Sequence, residues 1–411
     1  MNVLVLATKF HAIEDYERYM SKGDLPKTNV TYMIEFHGQE KPNQMPDNWI
    51  PVSDFANSSA VTIAMAEIKN RGPFAAVISY DEVSLLTAAK IRDAYGVSGL
   101  REQEALKFRD KVVMKEVLGA KKIRVPKVFS IEQLRTGHYH LPLVGKPRSL
   151  AGSEGVRIFT DAASLDAVLL TSYEQNVELH SELDPNDLQF EEYIDGSIFH
   201  IDGIVCEGKL VYASTSAYIG TCLDYLTGEP LASQMLPSGR HADEWSTYAQ
   251  TIVEAMEIPN GVFHLEAFQS AAGERIFLEI GLRPGGGLVV PSLQKVRGID
   301  LQLIHLQAQL QMPFIVETID NGLAGFILLP KNSGLGEDSI RKSSHFDCKR
   351  VEVMTSFVGE SKHLQLKKHP QNSCEFLFTS QHWDDISLSL CRLLAAIRLE
   401  RSSLCPLKKL G

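Results

Sequence analysis

Several features that mark other classes of protein are missing from this 411-residue sequence. No apolar run is long enough to cross a bilayer, and the opening run Asn2 to Ala7 lacks the basic flank and cleavage pattern of a signal peptide. The six cysteines are scattered without a CxxC pair, which argues against a zinc site and is typical of reduced thiols. The net charge of −10 lacks the basic excess of proteins that bind nucleic acids or anionic membranes. We therefore expect a cytoplasmic protein that binds neither nucleic acids nor membranes.

The first hundred residues have the alternating pattern of an open, mainly parallel α/β sheet, but no GxGxxG that would indicate a dinucleotide site. Val3 to Ala7 and Ala75 to Ser79 are predicted buried strands. Asp81 can cap a helix that runs to about Tyr95 and stops at Gly96. The fold class expected from this part is α/β.

The remainder mixes short strands with helices. A charged helical stretch covers Arg101 to Gly119, and further helices are predicted at 161–170, 241–257 and 384–399. The predicted strands are 125–129, 141–147, 156–159, 188–194, 200–205 and 210–213, with more short strands and glycine turns after Gln311.

The stretch from Gly261 to Gly287 is the most informative, because two alternating strands flank a turn centred on Ala272 and Gly273. A two-residue hairpin loop there makes the numbers of paired residues sum to 545. The predicted pairs are Glu266 with Glu279, Phe268 with Phe277, Leu265 with Ile280, and Ala267 with Leu278.

Two carboxylates directly opposite each other on neighbouring strands repel, because their Cβ atoms are only about 4.5–5.5 Å apart. A Mg²⁺ ion held by carboxylates, phosphates and water would turn that repulsion into a binding site. Arg283 and the glycines 285–287 follow at once, and both suit the close approach of an anion. We interpret the hairpin as a metal–phosphate site. Two solvated glutamates on an exposed face are the alternative.

Upstream segments carry weaker indications of the same ligand. A strand delivers Lys146, and the loop 152–155 that follows has the Gly/Ser composition that can donate backbone N–H groups to phosphates. An ordinary hairpin is the alternative for this loop, and an ordinary surface lysine is the alternative for Lys111. The acidic strand 189–196 is one against which adenine could lie, with a carboxylate binding the ribose.

Taken in order, these segments resemble the ATP-grasp superfamily. They are a helical RDK, a strand ending in KP, a G-S-x-G loop, an E-E-Y-I strand, a glutamate strand and E-x-G-x-R-P-G-G. The resemblance runs from about Ala75 to Pro291 and is closest to the carboxylate–amine ligases, which include the L-amino acid (dipeptide) ligases of the bacilysin-synthetase type. It implies an ATP-grasp fold with an N-terminal open parallel α/β domain (1–100), a central α+β ATP-clamping domain (101–310) with a small lid (about 125–195), and a C-terminal lobe (311–411).

The resemblance also implies roles for individual residues, with ATP and Mg²⁺ as cofactors and Mn²⁺ as a substitute. The implied phosphate-binding residues are Lys111, Lys146, Gly152, Ser153, Gly155 and Val156, and the adenine hinge is Glu191, Glu192, Tyr193 and Ile194. Glu266 and Glu279 match the paired metal ligands, and Arg283 matches the arginine that holds the transferred phosphate and the acyl phosphate. For His264, beside Glu266, a substrate contact and a structural hydrogen-bonded role are both open.

Two positions depart from the pattern of the superfamily. Many relatives read E-x-N-x-R on the metal strand, whereas Gly281 stands two residues after Glu279 and leaves the number of metal ions open. G-x-E-x-H often follows the hinge, whereas Ile198 stands where that glutamate would be, so ribose contacts are expected from Glu192 or His200.

The implied chemistry is phosphoryl transfer followed by acyl transfer. A carboxylate attacks the γ-phosphate while Mg²⁺, Lys146 and Arg283 stabilise the developing charge, and an amine then attacks the acyl phosphate. No nucleophilic side chain is needed, in agreement with the absence of a Ser/His/Asp or Cys/His motif. The leading hypothesis is a ligase that joins amino acids, or an amino acid and a small carboxylic acid, in a specialised-metabolite pathway such as antibiotic biosynthesis.

Two alternatives to this function stay open at the level of sequence. One is a ligase that loads an amino acid onto a carrier-protein thiol, and the other is a regulatory protein that binds ATP without catalysis. Retention of the two lysines, the two glutamates and the arginine argues against the second. Small-molecule carboxylates and amines are the expected partners, and the sequence leaves a carrier protein or a homodimer open.

Overall fold

A computed structural model describes residues 1–8, 10–36, 45–149, 152–174, 188–335, 351–357 and 372–404. The helices in these residues are α1 His11–Lys22, α2 Ser58–Ile68, α3 Leu85–Tyr95, α4 Glu102–Leu106, α5 Lys111–Ala120, α6 Ile131–Arg135, α7 Ala162–Glu174, α8 Cys222–Leu226, α9 Arg240–Met256, α10 Val289–Arg297, α11 Leu301–Gln309 and α12 Trp383–Leu404. None of them is long and apolar enough to cross a membrane.

The strands form three sheets. They are β1 Asn2–Ala7, β2 Asn29–Glu35, β3 Trp49–Val52, β4 Ala76–Ser79, β5 Val128–Phe129, β6 Leu143–Pro147, β7 Arg157–Phe159, β8 Leu188–Glu192, β9 Gly196–Cys206, β10 Lys209–Ile219, β11 Leu231–Met235, β12 Gly261–Ser270, β13 Arg275–Gly281, β14 Leu323–Pro330, β15 Glu352–Phe357 and β16 Asn372–Ser380.

The N-terminal sheet is parallel, with the order β3-β2-β1-β4. Both of its faces are covered, because alternate residues of β1 pack into two different apolar clusters. This explains why β1 is a continuous apolar run rather than an alternating one. The helix that Asp81 was predicted to cap begins later, at Leu85, because the Asp81 carboxylate accepts hydrogen bonds from Ser84 N and Thr8 N and holds the preceding turn.

A second sheet, antiparallel and ordered β5-β8-β6-β7, lies within the range 125–195 given to the lid. The third sheet has eight antiparallel strands in the order β13-β12-β9-β10-β11-β14-β16-β15. Strands from before and after residue 310 therefore share one sheet. Helix α9 packs on one face of this sheet through the fully buried Trp245, and α10 and α12 pack on the other face. The site described below lies where the second and third sheets meet α5.

The β12–β13 hairpin confirms part of the predicted register and corrects the rest. Ser270 N donates to Glu274 O at 3.0 Å, so the loop has three residues and ends at Gly273, whose φ of +81° suits such a turn. The longer loop shifts the pairing by one residue, and a β-bulge after Glu266 shifts it back.

The consequence is that the predicted pairs nearest the turn are wrong and those beyond the bulge are right. Glu266 with Glu279 and Leu265 with Ile280 are confirmed. In place of Phe268–Phe277 and Ala267–Leu278, the observed pairs are Phe268 with Ile276 and Ala267 with Phe277. The shift places Phe277 in the core with no exposed surface.

Candidate active site

Each of the two paired glutamates has its own partners. Lys111 Nζ lies 3.5 Å from Glu279 Oε2, whereas Glu266 Oε1 accepts a hydrogen bond from Tyr218 OH at 3.1 Å and lies 3.3 Å from His264 Nε2. Burial opposes the charge of Glu279, but Lys111 and other nearby cations outweigh it and lower its pKa to about 2. Glu279 is therefore held in the charged form that a metal ligand requires.

A second group of charges, which we call the lysine cluster, consists of Lys115, Lys146 and Glu191. Lys146 Nζ lies 2.6 Å from Glu191 Oε1, and Lys115 forms an ion pair with the other oxygen of the same carboxylate. All three side chains are at least 96% buried. When both amines are protonated, two ammonium groups share one carboxylate, and one positive charge in the cluster has no counter-charge.

The pKa values of the lysine cluster reflect this imbalance. Burial, and then the neighbouring Lys146 ammonium, lower the pKa of Lys115 to about 7 although Glu191 opposes the shift. Burial also acts against the charge of Lys146, but Glu191 and Glu279 outweigh it and raise its pKa. The two lysines in turn lower the pKa of Glu191 against the effect of burial. An anion bound here would stabilise both ammonium groups.

Lys115 is a residue that the sequence analysis missed. Asp110 caps α5 through Val112 N, so the helix begins at Lys111, and Lys115 follows one turn later on the same face. Both lysines are buried, with exposed fractions of 5% and 3%. The spacing of four residues in KVVMK indicates that both lysines share one helix face, but only the packing shows that this face is buried.

The glycine loop links β6 to β7 as predicted, and its described part is 152–156. Gly152, Ser153 and Gly155 all have positive φ, at 66°, 61° and 70°. Val156 N donates to Ser153 O at 3.2 Å, which closes the turn. A left-handed conformation at a serine is uncommon and concentrates in tight turns and ligand-binding loops. The phosphate contacts of these residues stay a prediction.

The four residues given to the adenine hinge have different surroundings. Glu191 belongs to the lysine cluster and lies in β8 opposite Val128 of β5 and Val144 of β6, so its carboxylate and its strand both already have partners. The Glu192 carboxylate accepts two hydrogen bonds from Arg124 and one from Lys127 N. A ribose would have to compete with these bonds. Tyr193 is 39% exposed, whereas Ile194 is buried, with an exposed fraction of only 9%.

A third group, the histidine cluster, consists of His200, Asp202, Ser233 and His264, each at most 6% exposed. Asp202 accepts from His200 Nδ1 at 2.7 Å and from His264 Nδ1 at 2.8 Å, and His200 Nε2 contacts Ser233 Oγ at 2.7 Å. His200 therefore has both ring nitrogens engaged within the core, and contact with a ribose would require these bonds to break. The ligand atoms of the two histidines and the aspartate lie within 4.8 Å of one another, but the hydrogen bonds explain this arrangement without a metal.

His264 has carboxylates on both sides, with Asp202 at Nδ1 and Glu266 at Nε2. Two acceptors require that both ring nitrogens carry protons, which is the charged form. Burial opposes this charge, but Asp202 and Glu266 outweigh it and raise the pKa of His264 to about 9. Of the two roles that the sequence left open, the hydrogen-bonded structural role is the one with observed contacts.

Arg283 is oriented by a residue that the sequence analysis did not consider. Its Nε donates to Glu82 Oε2 at 2.9 Å, and Arg109 Nη1 donates to Glu82 Oε1 at 2.8 Å. Glu82 belongs to the turn between β4 and α3, so it comes from the N-terminal sheet. No pattern in the sequence indicates a contact between positions separated by 201 residues.

The donor set fits the two cofactors that the sequence predicts. Two carboxylates on neighbouring strands suit Mg²⁺, which takes one or two protein carboxylates and completes its shell with phosphates and water. Three lysines and Arg283 lie near enough to lower the pKa of Glu279. Four cationic side chains gathered around one site suit the oxygens of a polyphosphate. Gly281 offers no side-chain ligand.

Sequence comparison finds relatives among the amide-forming ligases. The chain is 26% identical over 295 residues to the L-arginine-specific L-amino acid ligase of Bacillus subtilis, and the match covers 69% of each chain. It is 30% identical over 162 residues to dapdiamide A synthase of Enterobacter agglomerans, which covers 38% of this chain and 36% of the relative. No family model matches the chain.

Solved structures agree over nearly the whole length. The L-amino acid ligase from Bacillus licheniformis superposes with a TM-score of 0.71 at 17% identity, covering 95% of this chain and 96% of that one. Carboxyaminoimidazole ribonucleotide synthase from Aspergillus clavatus, complexed with ATP, gives 0.68 at 12% identity, covering 97% and 98%. The comparisons confirm the resemblance to ATP-grasp carboxylate–amine ligases, the ATP-grasp fold, and the enzyme class, an ATP-dependent ligase that forms C–N bonds.

Proposed function

We propose that this ATP-grasp protein is an ADP-forming, Mg²⁺-dependent carboxylate–amine ligase that works through an acyl phosphate and acts on amino acids. The observation that carries the proposal is the arrangement of Lys111, Lys115, Lys146 and Arg283 around Glu279. The names of the two sequence relatives support amino acids or similar small carboxylic acids as substrates.

In this proposal the buried charges bind the nucleotide. Lys115 and Lys146 have one carboxylate between them, so triphosphate oxygens would supply the missing negative charge. Mg²⁺ held by Glu266 and Glu279 would neutralise the β- and γ-phosphates. The glycine loop 152–156 would donate backbone N–H groups over the same phosphates.

The protein's own part in the chemistry is to position the reactants and stabilise charge. Arg283 would bind the oxygens of the transferred phosphoryl group as the substrate carboxylate attacks, because its planar fork can hold two oxygens at once. The amine then displaces phosphate from the acyl carbon, and no side chain becomes covalently modified. The segment 218–233 would line the substrate pocket, since Tyr218 contacts Glu266.

We further propose the organisation given by the sequence, with domains at 1–100, 101–310 and 311–411, a cytoplasmic location, and a role in specialised metabolism. The shared eight-stranded sheet means that the last two units would fold together. No observed contact favours a carrier protein as the acceptor over a free amine.

The experiment is a screen for phosphate release from ATP and Mg²⁺ across pairs of amino acids, with nucleotide products separated by chromatography. We expect ADP and phosphate in equal amounts, and only when a suitable pair is present. Formation of AMP and pyrophosphate would contradict the proposal, since it would indicate adenylation of the carboxylate. Phosphate release that is independent of any carboxylate would contradict ligation.

A further inference from the structure

The turn that carries Glu82 is held rigidly at the end of β4. Asp81 Oδ2 accepts from Thr8 N at 2.7 Å, and Asp81 Oδ1 accepts from Ser84 N at 3.0 Å. These bonds fix the backbone on both sides of residue 82. The Glu82 side chain is only 10% exposed, and it points away from its own sheet toward the metal hairpin.

Glu82 lies between two arginines and orients one of them. Arg283 Nε donates to Glu82, and Arg283 Nη1 donates to Pro284 O at 3.0 Å. Arg283 Nη2 has no hydrogen-bond acceptor among the described residues. Arg109 donates to the other oxygen of Glu82, so the carboxylate is held from both sides. The guanidinium of Arg283 is thereby fixed along one edge and left available along another.

Gly281 provides the space that this contact needs. A Cβ atom built at Gly281 would lie 3.2 Å from Glu82 Oε2, 3.5 Å from Glu82 Cδ and 3.4 Å from Arg283 Cγ. Gly281 is not among the glycines with positive φ, so its backbone conformation would accept any residue. A side chain at this position would press on Glu82, whereas the backbone itself would not be strained.

We propose that Glu82 is a positioning residue for Arg283, and that Gly281 is kept without a side chain so that the N-terminal sheet can reach the reaction centre through that gap. The glycine that stands at 281 in place of the superfamily's asparagine and the contact between Glu82 and Arg283 are then two parts of the same feature. This inference rests on the role proposed for Arg283.

A fixed guanidinium is useful because arginine is otherwise flexible. A side chain that is already oriented costs no reorganisation when charge develops on the phosphoryl group. Glu82 also offsets one of the two positive charges that Arg109 and Arg283 bring into a largely buried region. Without the Glu82 carboxylate, the Arg283 side chain should be free to adopt other rotamers.

The first test measures Glu82→Ala in the wild type and in an Arg283→Ala background. In the wild type we expect kcat to fall by at least about tenfold with the KM for ATP nearly unchanged, because only transition-state contacts are lost. In the Arg283→Ala background the same change should have no further effect on kcat. Glu82→Gln keeps the shape and one acceptor oxygen, and should retain part of the activity. Glu67→Ala, an exposed glutamate in the same part of the chain, is the matched control.

The second test uses Gly281. Gly281→Asn should displace Glu82 and lower kcat about as much as Glu82→Ala does, whereas the double variant should be no slower than Glu82→Ala alone. Gly281→Ala should be milder, because its Cβ alone requires a shift of only a few tenths of an ångström. Losses that multiply in the double variant would overturn the proposal.

Other outcomes separate this inference from the proposed function. If Glu82→Ala lowers kcat equally in both backgrounds, or only raises the KM of an amino acid, Glu82 contacts the substrate itself and the proposal is wrong. If Arg283→Ala leaves kcat unchanged, the role proposed for Arg283 fails. The contact between Glu82 and Arg283 is then tested by chemical unfolding of the wild type, the two single alanine variants and the double variant. Non-additive losses of stability would support Glu82 as the residue that holds Arg283, and additive losses would refute it.

Discussion

The lysine cluster and the histidine cluster are both buried, both centred on a carboxylate, and both next to the glutamate pair, yet they differ in how their charges are balanced. In the lysine cluster two ammonium groups share Glu191. In the histidine cluster Asp202 bridges two rings, and each ring nitrogen has a partner. A cavity of about 10 Å³, enough for one water, lies beside the histidine cluster.

This difference indicates different roles for the two clusters. A buried group of like charges with too few counter-charges is costly alone and is stabilised by an anionic ligand. A buried group with every polar atom satisfied gains nothing from a ligand and instead fixes the positions of its members. We therefore expect the lysine cluster to bind nucleotide and the histidine cluster to hold Glu266.

The largest effect should come from the glutamate pair, which both clusters adjoin. Glu279→Gln removes a charged ligand for the metal and the partner of Lys111, so turnover should be lost and Mg²⁺-dependent binding of ATP weakened. Calorimetric titration with a non-hydrolysable ATP analogue measures the binding. Glu274→Gln, on an exposed residue of the same hairpin, is the control. Unchanged phosphate release by Glu279→Gln would refute the assignment of Glu279 as a metal ligand.

The next effect distinguishes the lysine cluster. Lys115→Met and Lys146→Met keep the apolar stems but remove the ammonium groups, so each should raise the KM for ATP by about tenfold or more, with one lost charge-assisted bond worth about 1.5–3 kcal/mol. Steady-state kinetics at saturating Mg²⁺ provide the measurement. Lys121→Met, on the exposed end of α5, should match the wild type. Equal KM values in all four proteins would show that the cluster is structural.

A smaller effect on activity is expected from the histidine cluster. Asp202→Asn leaves a charged or reoriented His264 without its carboxylate partner. We expect a loss of unfolding free energy of about 1–3 kcal/mol, as for a buried donor that loses its acceptor, and little change in the KM for ATP. Urea unfolding and kinetics of the same preparation give both values. A large rise in the KM for ATP with normal stability would reverse the assignment of the two clusters.

The last effect concerns stability alone and depends on pH. The pKa of His264 is raised from 6.5 to about 9 in the folded state, so the folded protein binds more protons than the unfolded chain between these values. The stabilisation is complete below pH 6.5 and is lost as pH rises through 9, by at most about 3.5 kcal/mol at about 1.4 kcal/mol per pKa unit. Unfolding of the wild type and His264→Gln across this range should converge at high pH. Parallel curves would show that His264 is not charged in the fold.

The sequence predicted the parts of the site that depend on local pattern. The pairing of Glu266 with Glu279 was predicted correctly, although the three-residue loop and the bulge each shift the register, because the two shifts cancel. Lys146 lies near the end of β6, and the glycine loop follows this strand, as expected. These features depend on alternation and on turn residues, which are local.

The parts that were missed depend on contacts between distant segments. Glu82 reaches Arg283 across 201 positions, and His200 contacts both Asp202 and Ser233. Lys115 was missed because a helical lysine is normally solvated. Only the packing of Lys115 in α5 against Glu191 of the second sheet shows that it is buried. Such pairings are set by the tertiary fold, which residue spacing alone does not encode.

The most direct test of the acyl phosphate follows one oxygen atom. An amino acid that supports turnover is labelled with ¹⁸O in its carboxylate, and the released phosphate is analysed by mass spectrometry. If the carboxylate attacks the γ-phosphate and the amine then expels phosphate, one ¹⁸O per turnover passes from substrate to phosphate, and ADP carries none. Label found in AMP, or phosphate released without label, would contradict the mechanism.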